Sequence, residues 1–382
     1  MAAVLAVPAA VPAVALAPSV GTRTPPVARG AAAAAPGMAA APATAVPAAT
    51  ARPPAMPAAP PASPQAAPAA VASQTPPVTA IVASTPAAAA LRRDVRIGIG
   101  DQKPDMFSDS RFIALGVKYA RLTISWDAMT VPWEVQELDA WLAAARADGI
   151  APLISLGHSR TDRRSLPTPE RLEYEFLRMR QRYPWVTTWA TWNEANHCGE
   201  PTCHRPKLVA AYYRALRRGC PKCTILAPEV LDMPNMSSWV KQFCAGLGFK
   251  PTLWGVHNYV EANRFKMTRL RALLRVLPRS DIWLTETGGL VRRDNDSATK
   301  IPQGPRHAGE VTRYIFDRVV PDNPQIKAVY LYNWNAGPAD DTWDSGLITP
   351  AGRERTALDV LRRVLRVGPR PHASFRSPRK AR

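Results

Sequence analysis

The sequence predicts an α/β protein, a (β/α)8 TIM barrel preceded by a disordered Ala/Pro-rich segment. Three observations lead to this prediction. From Leu91 onward the chain has about 290 residues of globular composition, and typical (β/α)8 barrels need about 250. Short apolar, β-branched runs recur eight times in this part of the chain. Amphipathic stretches with helical spacing separate most of the runs, and this alternation is typical of a parallel sheet.

The first 90 residues consist mainly of alanine, proline, valine, threonine and serine. Their only charged side chains are Arg23, Arg29 and Arg52, and they contain no aromatic residue. A segment of this composition cannot bury enough apolar surface to offset the entropy of ordering. We therefore predict a low-complexity disordered segment over residues 1–90, a barrel domain over 91–366 and a basic disordered tail over 367–382.

The beginning of the chain is a candidate signal peptide. It starts with an apolar run, and Ala15-Leu16-Ala17 resembles a small-residue cleavage site. The signal is atypical, because a positively charged start is missing and Pro8 and Pro12 interrupt the run. No run of about 18 apolar residues is free of proline, which argues against a transmembrane segment. We expect an extracellular or cell-envelope location.

The charge balance is strongly basic, with 49 Lys and Arg against 30 Asp and Glu and a formal net charge of +19. Such an excess favours an anionic polymer as partner, either nucleic acid or an acidic glycan, although a solvated basic tail is the simpler explanation. No helical stretch interleaves basic with aromatic residues, and no zinc-finger or RNA-binding signature is present. The expected partner is a carbohydrate, with an anionic glycan as one candidate. No nucleic acid is expected, and the protein is expected to be a monomer.

Eight candidate strands define the barrel, at residues 95–100, 119–125, 151–155, 188–192, 224–227, 252–256, 281–285 and 328–332. Candidate helices lie between them, and one begins at Pro169, in the first helical turn that proline favours. A doubly wound open sheet is the alternative. Such a sheet is typically marked by Gly-x-Gly-x-x-Gly opening a helix after the first strand. Here the first strand ends in GIGDQKP and no helix follows at once, so the barrel is preferred.

Two carboxyl groups are predicted to face each other at the barrel mouth, because catalytic residues of such barrels lie at the C-terminal ends of the strands. The fourth strand leads into Asn193-Glu194 and the seventh into Glu286. Cleavage of a glycosidic bond needs such a pair. One carboxyl group protonates the leaving oxygen, and the other attacks the anomeric carbon or activates water. A spacing of about 5–5.5 Å leads to retention of configuration.

The surrounding motifs resemble those of the clan A retaining glycoside hydrolases, and the run DDTWDSGLITPAGRERTAL resembles the segment after the eighth strand in families 5 and 39 and their relatives. The motifs are Asn-Glu in TWNEAN, Glu286 in LTETGG, His257-x-Tyr259 after the sixth strand, Arg121 on the second strand and Trp334 in YLYNWN. The resemblance spans residues 95–366. It implies that Glu194 is the acid/base and Glu286 the nucleophile of a double displacement, with no metal or organic cofactor and a β-linked oligo- or polysaccharide as substrate.

The neighbours of the two glutamates have expected roles of their own. Arg121 and the Tyr259 hydroxyl would stabilise and orient the Glu286 carboxylate, and Asn193 would hydrogen-bond the sugar 2-hydroxyl group. Burial or the charge of Glu286 is expected to raise the pKa of Glu194, so that Glu194 holds its proton near neutral pH. Arg121 could instead form only a structural ion pair.

Other residues have two interpretations each. Trp334 would stack on a pyranose ring, and His257 and His158 would bind sugar hydroxyl groups, although His158 could simply cap its loop. Four further tryptophans are either sugar platforms or barrel packing: Trp126, Trp133, Trp192 and Trp343.

Four acids outside the pair receive structural assignments. Glu229 and Asp232 follow the fifth predicted strand and could bind substrate, but we favour an ion pair in a loop. Glu200 and Glu261 are expected to be solvated loop acids.

The cysteines are Cys198, Cys203, Cys220, Cys223 and Cys244. Cys198 and Cys203 would form one local disulfide, and the C-x-x-C pair Cys220 and Cys223 would form another, with one thiol left free. This arrangement fits an exported protein. A zinc site from both pairs, with His197 or His204, is the alternative. The pairs lie at opposite ends of a predicted helix, so we assign no metal. A disulfide in the first pair would hold the loop that follows Glu194.

Together these features predict an exported retaining glycoside hydrolase. A transglycosylase would use the same residues, with a sugar acceptor in place of water. A non-catalytic glycan-binding barrel at the cell surface is the alternative from another class, and loss of either carboxylate would favour it. A nucleic-acid-binding protein is suggested by the charge alone.

Overall fold

A computed structural model describes residues 95–294, 300–338 and 341–367. Ten strands lie in these ranges: β1 (Arg96–Gly100), β2 (Tyr119–Ser125), β3 (Ala151–Gly157), β4 (Thr188–Ala190), β5 (Thr224–Leu231), β6 (Leu253–His257), β7 (Asp281–Thr287), β8 (Arg292–Arg293), β9 (Ile326–Tyr332) and β10 (Trp343–Asp344). β1 to β7 and β9 pair in parallel and close into a barrel, with β9 next to β1. The short strands β8 and β10 form a separate antiparallel pair.

Helices alternate with the barrel strands. They are α1 (Ser110–Leu115), α2 (Pro132–Ala147), α3 (Pro169–Arg182), α4 (Pro206–Gly219), α5 (Met236–Leu247), α6 (Tyr259–Ala262), α7 (Thr268–Val276), α8 (Pro305–Tyr314), α9 (Val320–Asp322) and α10 (Thr356–Val367). Four of them begin with proline, which has no N–H to leave unpaired in the first turn. Thr168 caps α3 by accepting a hydrogen bond from the Arg171 N–H. Among the described residues, no helix is long and apolar enough to cross a membrane.

The predicted (β/α)8 barrel is confirmed, and all eight predicted strands are present. Their ends differ: β3, β5, β6 and β7 continue past the predicted ends, whereas β4 stops at Ala190, two residues early. After β4 the chain turns, and Glu194 reaches His257. The predicted disordered segment 1–90 lies outside the described residues. The predicted tail 367–382 also lies outside them, except for Val367, the last residue of α10.

Apolar side chains pack on both sides of the sheet. The larger core lies between the strands and the helices, and a separate cluster consists of Leu153, Ala190, Leu226, Trp283, Ala328 and Tyr330, all from barrel strands. Gly98 on β1 makes room for one of these rings, because a Cβ atom there would lie 2.7 Å from Tyr330. Packing therefore fixes the side chains of this cluster, and the packed strands give the polar groups at their ends a rigid support.

Candidate active site

The predicted site residues converge at the C-terminal ends of the strands. Arg121 lies on β2, Asn193 and Glu194 follow β4, His257 ends β6 and Glu286 lies near the end of β7. Tyr259 lies two residues after His257, at the start of α6. Contacts between these side chains form one connected cluster, which also includes Glu229 on β5.

Register shifts aim two of the carboxylates at this cluster. On β5 the pairing with β6 skips one residue between Ala227 and Glu229, and on β7 the pairing with β6 skips one residue before Glu286. An extra residue of this kind bends the strand and redirects the side chains that follow. The two shifts lie immediately before the residues that Arg121 binds.

Arg121 is the centre of the cluster and is almost completely buried. Its Nε donates to Glu229 Oε1 at 2.9 Å and its Nη2 to Glu229 Oε2 at 2.6 Å, a bidentate ion pair. Nη1 donates to Glu286 Oε2 at 2.8 Å, and Nη2 also donates to Asn193 Oδ1 at 2.7 Å. The expected contact between Arg121 and the nucleophile candidate is present. The guanidinium is shared with a second carboxylate that the sequence analysis did not pair with it.

His257 lies between the two candidate catalytic carboxylates. Its Nδ1 atom is 3.1 Å from Glu194 Oε1 and 3.9 Å from Glu286 Oε2. Its Nε2 atom is 3.4 Å from Arg121 Nη2 and 3.8 Å from Glu229 Oε2. The imidazole is fully buried, whereas the side chains of Glu194 and Glu286 are 21% and 16% exposed. A substrate can therefore reach the two carboxylates. His257 lies beneath them and is fully buried, which corrects the expectation that it binds sugar hydroxyl groups.

The charges in the cluster move its pKa values in opposite directions. Burial alone would lower the pKa of His257, but the charge of Glu286 and hydrogen bonds with Glu194 and Glu229 raise it to about 9. Burial would raise the pKa of Glu194, yet the hydrogen bond from His257 and its positive charge outweigh burial and lower it. The expectation of a raised pKa for Glu194 is therefore not met in the free site, where the shared proton lies on His257.

Glu194 has an unusual backbone conformation, with φ of 45° in the left-handed region. Hydrogen bonds on both sides hold this turn. The N–H of Ala195 donates to the Glu229 carbonyl oxygen at 2.9 Å, and the Glu229 N–H donates to the Trp192 carbonyl oxygen at 2.9 Å. His197 Nδ1 lies 3.6 Å from Glu194 Oε2 on the exposed side. The acid/base candidate is thus fixed by the backbone of β5 as well as by its own strand.

Tyr259 connects the nucleophile candidate to an aromatic surface. Its hydroxyl donates to Glu286 Oε1 at 3.1 Å, as expected. Its ring meets Trp343 edge to face at 4.9 Å between centroids, and the Arg293 guanidinium lies over Trp343 at 5.8 Å. Trp343 is half-buried and belongs to β10, so the β8–β10 pair places an aromatic ring beside the site.

Trp334 does not present its ring to the site. It is fully buried, packs edge to face on Phe112 at 5.5 Å, and donates its indole N–H to Asp109 Oδ2 at 3.1 Å. This corrects the expectation that it stacks on a sugar, because no face of the ring is open. Trp343 is the better candidate for that role.

The other tryptophans divide by burial. Trp126 and Trp192 are buried, and the Trp192 ring stacks on Tyr212. Trp133 is 42% exposed, and Arg160 lies over its ring at 4.3 Å. Of the four, Trp133 and Trp343 therefore remain available to a sugar.

His158 lies outside the central cluster. Its Nδ1 is 2.7 Å from Glu200 Oε1, and the other oxygen of Glu200 accepts a hydrogen bond from the Trp192 indole at 3.2 Å. Glu200 is only 6% exposed, so the expectation of a solvated acid was wrong. The hydrogen bond to Glu200 fixes His158, which remains partly exposed at the rim.

Three other acids are also buried. Glu261 accepts from the N–H groups of Arg269 and Leu270 at the start of α7 and is not solvated as expected. Asp232 accepts from two N–H groups at the start of α6, and burial raises its pKa to about 8. Glu229 does form an ion pair, but with Arg121 inside the barrel and not within a loop. The sequence pattern placed Glu229 just beyond the fifth predicted strand, whereas it lies within β5, and its contact with Arg121 was not predicted.

The cysteines form two disulfides, Cys198–Cys203 and Cys220–Cys223, and Cys244 is a buried free thiol. The first disulfide lies in the segment after Glu194, and the second follows α4. The two pairs are thus at opposite ends of α4. His204 Nε2 lies 3.9 Å from Cys198 Sγ, at the exposed end of the first disulfide.

No family model matches the chain, and no curated protein matches its sequence. Solved structures do resemble it. A GH10 endoxylanase retrieved from a sugarcane soil metagenome is 12% identical, with a TM-score of 0.53 over 71% of this chain and 97% of that chain. A fungal β-1,4-galactanase is 13% identical, with a TM-score of 0.52 over 70% of this chain and 99% of that one. The chain has the barrel fold of these glycosidases.

A glucosidase from Croceicoccus marinus shares the same fold at 12% identity, with a TM-score of 0.52 over 71% of this chain and 66% of that chain. The three proteins carry names for different activities. At this level of identity the likeness establishes the barrel and leaves the substrate to be argued from the site.

Proposed function

We propose that this protein is a retaining glycoside hydrolase that cleaves O-glycosidic bonds by double displacement. Glu194 is the proposed acid/base and Glu286 the proposed nucleophile. One observation carries the proposal: two carboxylates, Glu194 beyond the end of β4 and Glu286 near the end of β7, lie within 3.1 Å and 3.9 Å of the same His257 nitrogen. Two carboxyl groups on either side of one bond are what this chemistry requires.

In the first step, a Glu286 oxygen attacks the anomeric carbon while the bond from that carbon to the leaving oxygen breaks. Glu194 transfers its proton to the leaving oxygen. A covalent glycosyl ester of Glu286 results, and Glu194 is left as a carboxylate. Arg121 and the Tyr259 hydroxyl hold the attacking carboxylate, each through one of its oxygens. The Arg121 guanidinium also orients the Asn193 amide, which leaves the amide N–H groups free to face the sugar 2-hydroxyl.

In the second step, water replaces the leaving group. Glu194 now accepts a proton from the water as the water oxygen attacks the anomeric carbon, and the ester bond to Glu286 breaks. The sugar leaves with its original configuration, and both carboxyl groups return to their starting states. A transglycosylase would follow the same steps with a sugar hydroxyl in place of water.

The proton for the first step comes from the Glu194–His257 pair. In the free site His257 carries it, because the surrounding carboxylates raise the pKa of the imidazole to about 9. A bound sugar that excludes water would increase the desolvation cost of this ion pair. The neutral form, in which Nδ1 has passed its proton to Glu194 Oε1, is then favoured. Substrate binding would therefore place the proton on Glu194, where it is needed for the first step.

Two features support the finer parts of the proposal. The Arg293 guanidinium lies over Trp343, whose ring meets Tyr259, and this positive charge beside the nucleophile candidate favours a substrate bearing acidic groups. The proposed β linkage rests on the motif resemblance alone. Two disulfides suit an oxidising compartment and support export to the cell envelope or beyond. A non-catalytic glycan-binding barrel is less favoured, because both carboxylates are present and reachable.

The test is an activity panel on the full chain and on the E194Q and E286Q variants. Aryl β-glycosides, neutral β-glucans and uronate-bearing polysaccharides are offered at low and high salt. E194Q should lower kcat by about 10²–10⁴-fold on substrates with poor leaving groups, and E286Q should abolish turnover. E310Q, a change on the outer helix α8, serves as the control and should retain full activity.

The anomeric configuration of the first product, measured by NMR, separates retention from inversion. Undiminished activity in E286Q, or an inverted product, would refute the assignment. Preference for acidic polysaccharides that weakens at high salt supports the anionic substrate, whereas equal rates on neutral and acidic glycans at both salt concentrations would contradict it.

A further inference from the structure

A third carboxylate lies in the active-site cluster, and neither step of the proposed reaction uses it. The Glu229 side chain is completely buried, in contrast to the partly exposed Glu194 and Glu286. It cannot touch a sugar from this position. Its two oxygens receive two hydrogen bonds from Arg121, at 2.9 Å and 2.6 Å.

The surrounding backbone is shaped to accommodate Glu229. The register shift on β5 lies directly before it. On the neighbouring strand β6, a Cβ atom added to Gly255 would come within 2.4 Å of Glu229 Cγ, so only glycine leaves the space that the carboxylate occupies. The backbone of Glu229 also bonds to both sides of the Asn193-Glu194 turn, through Trp192 and Ala195.

The charges explain what this carboxylate does. Arg121 and His257 approach to 3.4 Å between nitrogens, and Glu229 lies within hydrogen-bond or ion-pair distance of both. Without Glu229, two adjacent cations would face only the two catalytic carboxylates. Arg121 would then lose its anchor, and its remaining hydrogen bonds could draw it toward Glu286.

We propose that Glu229 is a positioning residue of the reaction: it holds Arg121 between itself and Glu286, and thereby sets the orientation of the nucleophile and the proton held by the His257–Glu194 pair. This inference rests on the proposed function. Glu229 neither gains nor loses a proton or a covalent bond in either step. Its charge is stable in this role, because Arg121 and His257 overcome the effect of burial and hold the pKa of Glu229 far below its usual range.

Two variants of the full chain separate charge from geometry. E229Q keeps the shape and removes the charge, whereas E229D keeps the charge and withdraws the carboxylate by one methylene group. E261Q is the matched control, since Glu261 is another buried carboxylate but binds the first turn of α7, outside the Arg121 cluster. Thermal unfolding of each variant checks that it is folded.

The first readout does not depend on activity. The chain has six histidines, so NMR titration of the imidazole signals is tractable, with H257N assigning His257. The pKa of His257 should fall toward its ordinary value of about 6.5 in E229Q, and should stay raised in E229D and E261Q.

The second readout is kinetic, on whichever substrate the parent hydrolyses. In E229Q and E229D, kcat should fall by about 10²-fold with little change in KM, because a nucleophile misplaced by about 1 Å costs this much. The pH profile should shift in E229Q and not in E229D. E261Q should match the parent in both respects.

The outcomes distinguish the two proposals. If folded E229Q keeps the parent kcat, pH profile and His257 pKa, Glu229 is only a structural residue and the inference is wrong. If E229Q does not fold, E229D decides: a folded E229D with unchanged kcat would also show that the inference is wrong. If the parent turns over nothing on the panel while the His257 pKa still falls in E229Q, the proposed function fails, and the role in the reaction fails with it.

Discussion

Two tryptophans near the site, Trp334 and Trp343, differ in what surrounds their rings, and this decides which of them can meet a sugar. Trp334 is enclosed by the core and held by Asp109. Trp343 is half-buried between Tyr259 and Arg293, with its indole N–H bonded to Ser345 Oγ. One ring stabilises the fold, and the other is placed beside the nucleophile candidate.

Alanine substitutions should separate these roles. W343A should lower kcat/KM by roughly tenfold, equivalent to about 1.4 kcal/mol, with an unchanged unfolding transition. W334A should lower the free energy of unfolding by about 3–5 kcal/mol, because it leaves a large cavity in the core. Urea unfolding and steady-state kinetics on both variants provide the measurement. A W343A variant that unfolds more easily but binds substrate normally would reverse the assignment.

Much of the site was predictable at the level of single residues. Glu194, Glu286 and His257 follow apolar runs, and the ends of parallel strands meet at one edge of the barrel. The partner of Glu229 was not predictable. Which way its side chain points depends on an extra residue in β5, and a shift of one position moves every later side chain to the other face. Likewise, the burial of Trp334 depends on Phe112, far away in the chain.

At the scale of the element, the segment between β4 and α4 holds the acid/base candidate by several contacts. The Asn196 side chain bonds both the carbonyl oxygen and the N–H of Leu231, and Thr202 Oγ1 donates to the Ala195 carbonyl oxygen. The Cys198–Cys203 disulfide closes the same segment. The periodicity of apolar residues predicted β4 and α4. The hydrogen bonds and the disulfide that position the segment between them leave no periodic pattern in the sequence and were not predictable in this way.

Replacing each disulfide by serines tests this segment, and the second disulfide is the control. The sequence separations are 5 and 3 residues, so both bonds close short loops of similar size, and loss of either should cost a similar amount, about 2 kcal/mol in the chain-entropy model. The C198S/C203S variant should lose several-fold in kcat, because the Glu194 turn is less well held. The C220S/C223S variant should keep the parent kcat. Equal losses in both would mean that the first disulfide has no special role in catalysis.

At the scale of the whole molecule, barrel closure brings together charges that are far apart in sequence. Arg121 and Glu286 are 165 positions apart, and Arg121 and His257 are 136 apart. The cluster therefore exists only in the folded barrel, and its pKa values differ between folded and unfolded chains. Stability must then depend on pH. The alternation of strands and helices predicted this closure, but not the ionisation that it produces.

The free energy of unfolding should fall as pH rises from 6.5 to about 9. The unfolded chain releases the His257 proton near 6.5, whereas the folded chain keeps it up to about 9, so the stabilisation is complete below 6.5 and lost through 9. Each unit of pKa difference corresponds to about 1.4 kcal/mol. Urea unfolding at pH 6, 7.5 and 9 measures this slope, and H257N should have a flatter one. An identical slope in H257N would show that other groups cause it.

The left-handed backbone conformation at Glu194 has a consequence for which residues related sequences should have at this position. A side chain such as glutamate is disfavoured at φ of 45°, by roughly 1–2 kcal/mol, whereas glycine and asparagine tolerate it. Only selection for the carboxylate would keep glutamate there. A descendant that has given up turnover, and with it the need for the carboxylate, should drift to Asn-Gly or Asn-Asn in place of Asn193-Glu194. The residues at these two positions would then distinguish catalytically active from inactive homologues in a survey of genomes.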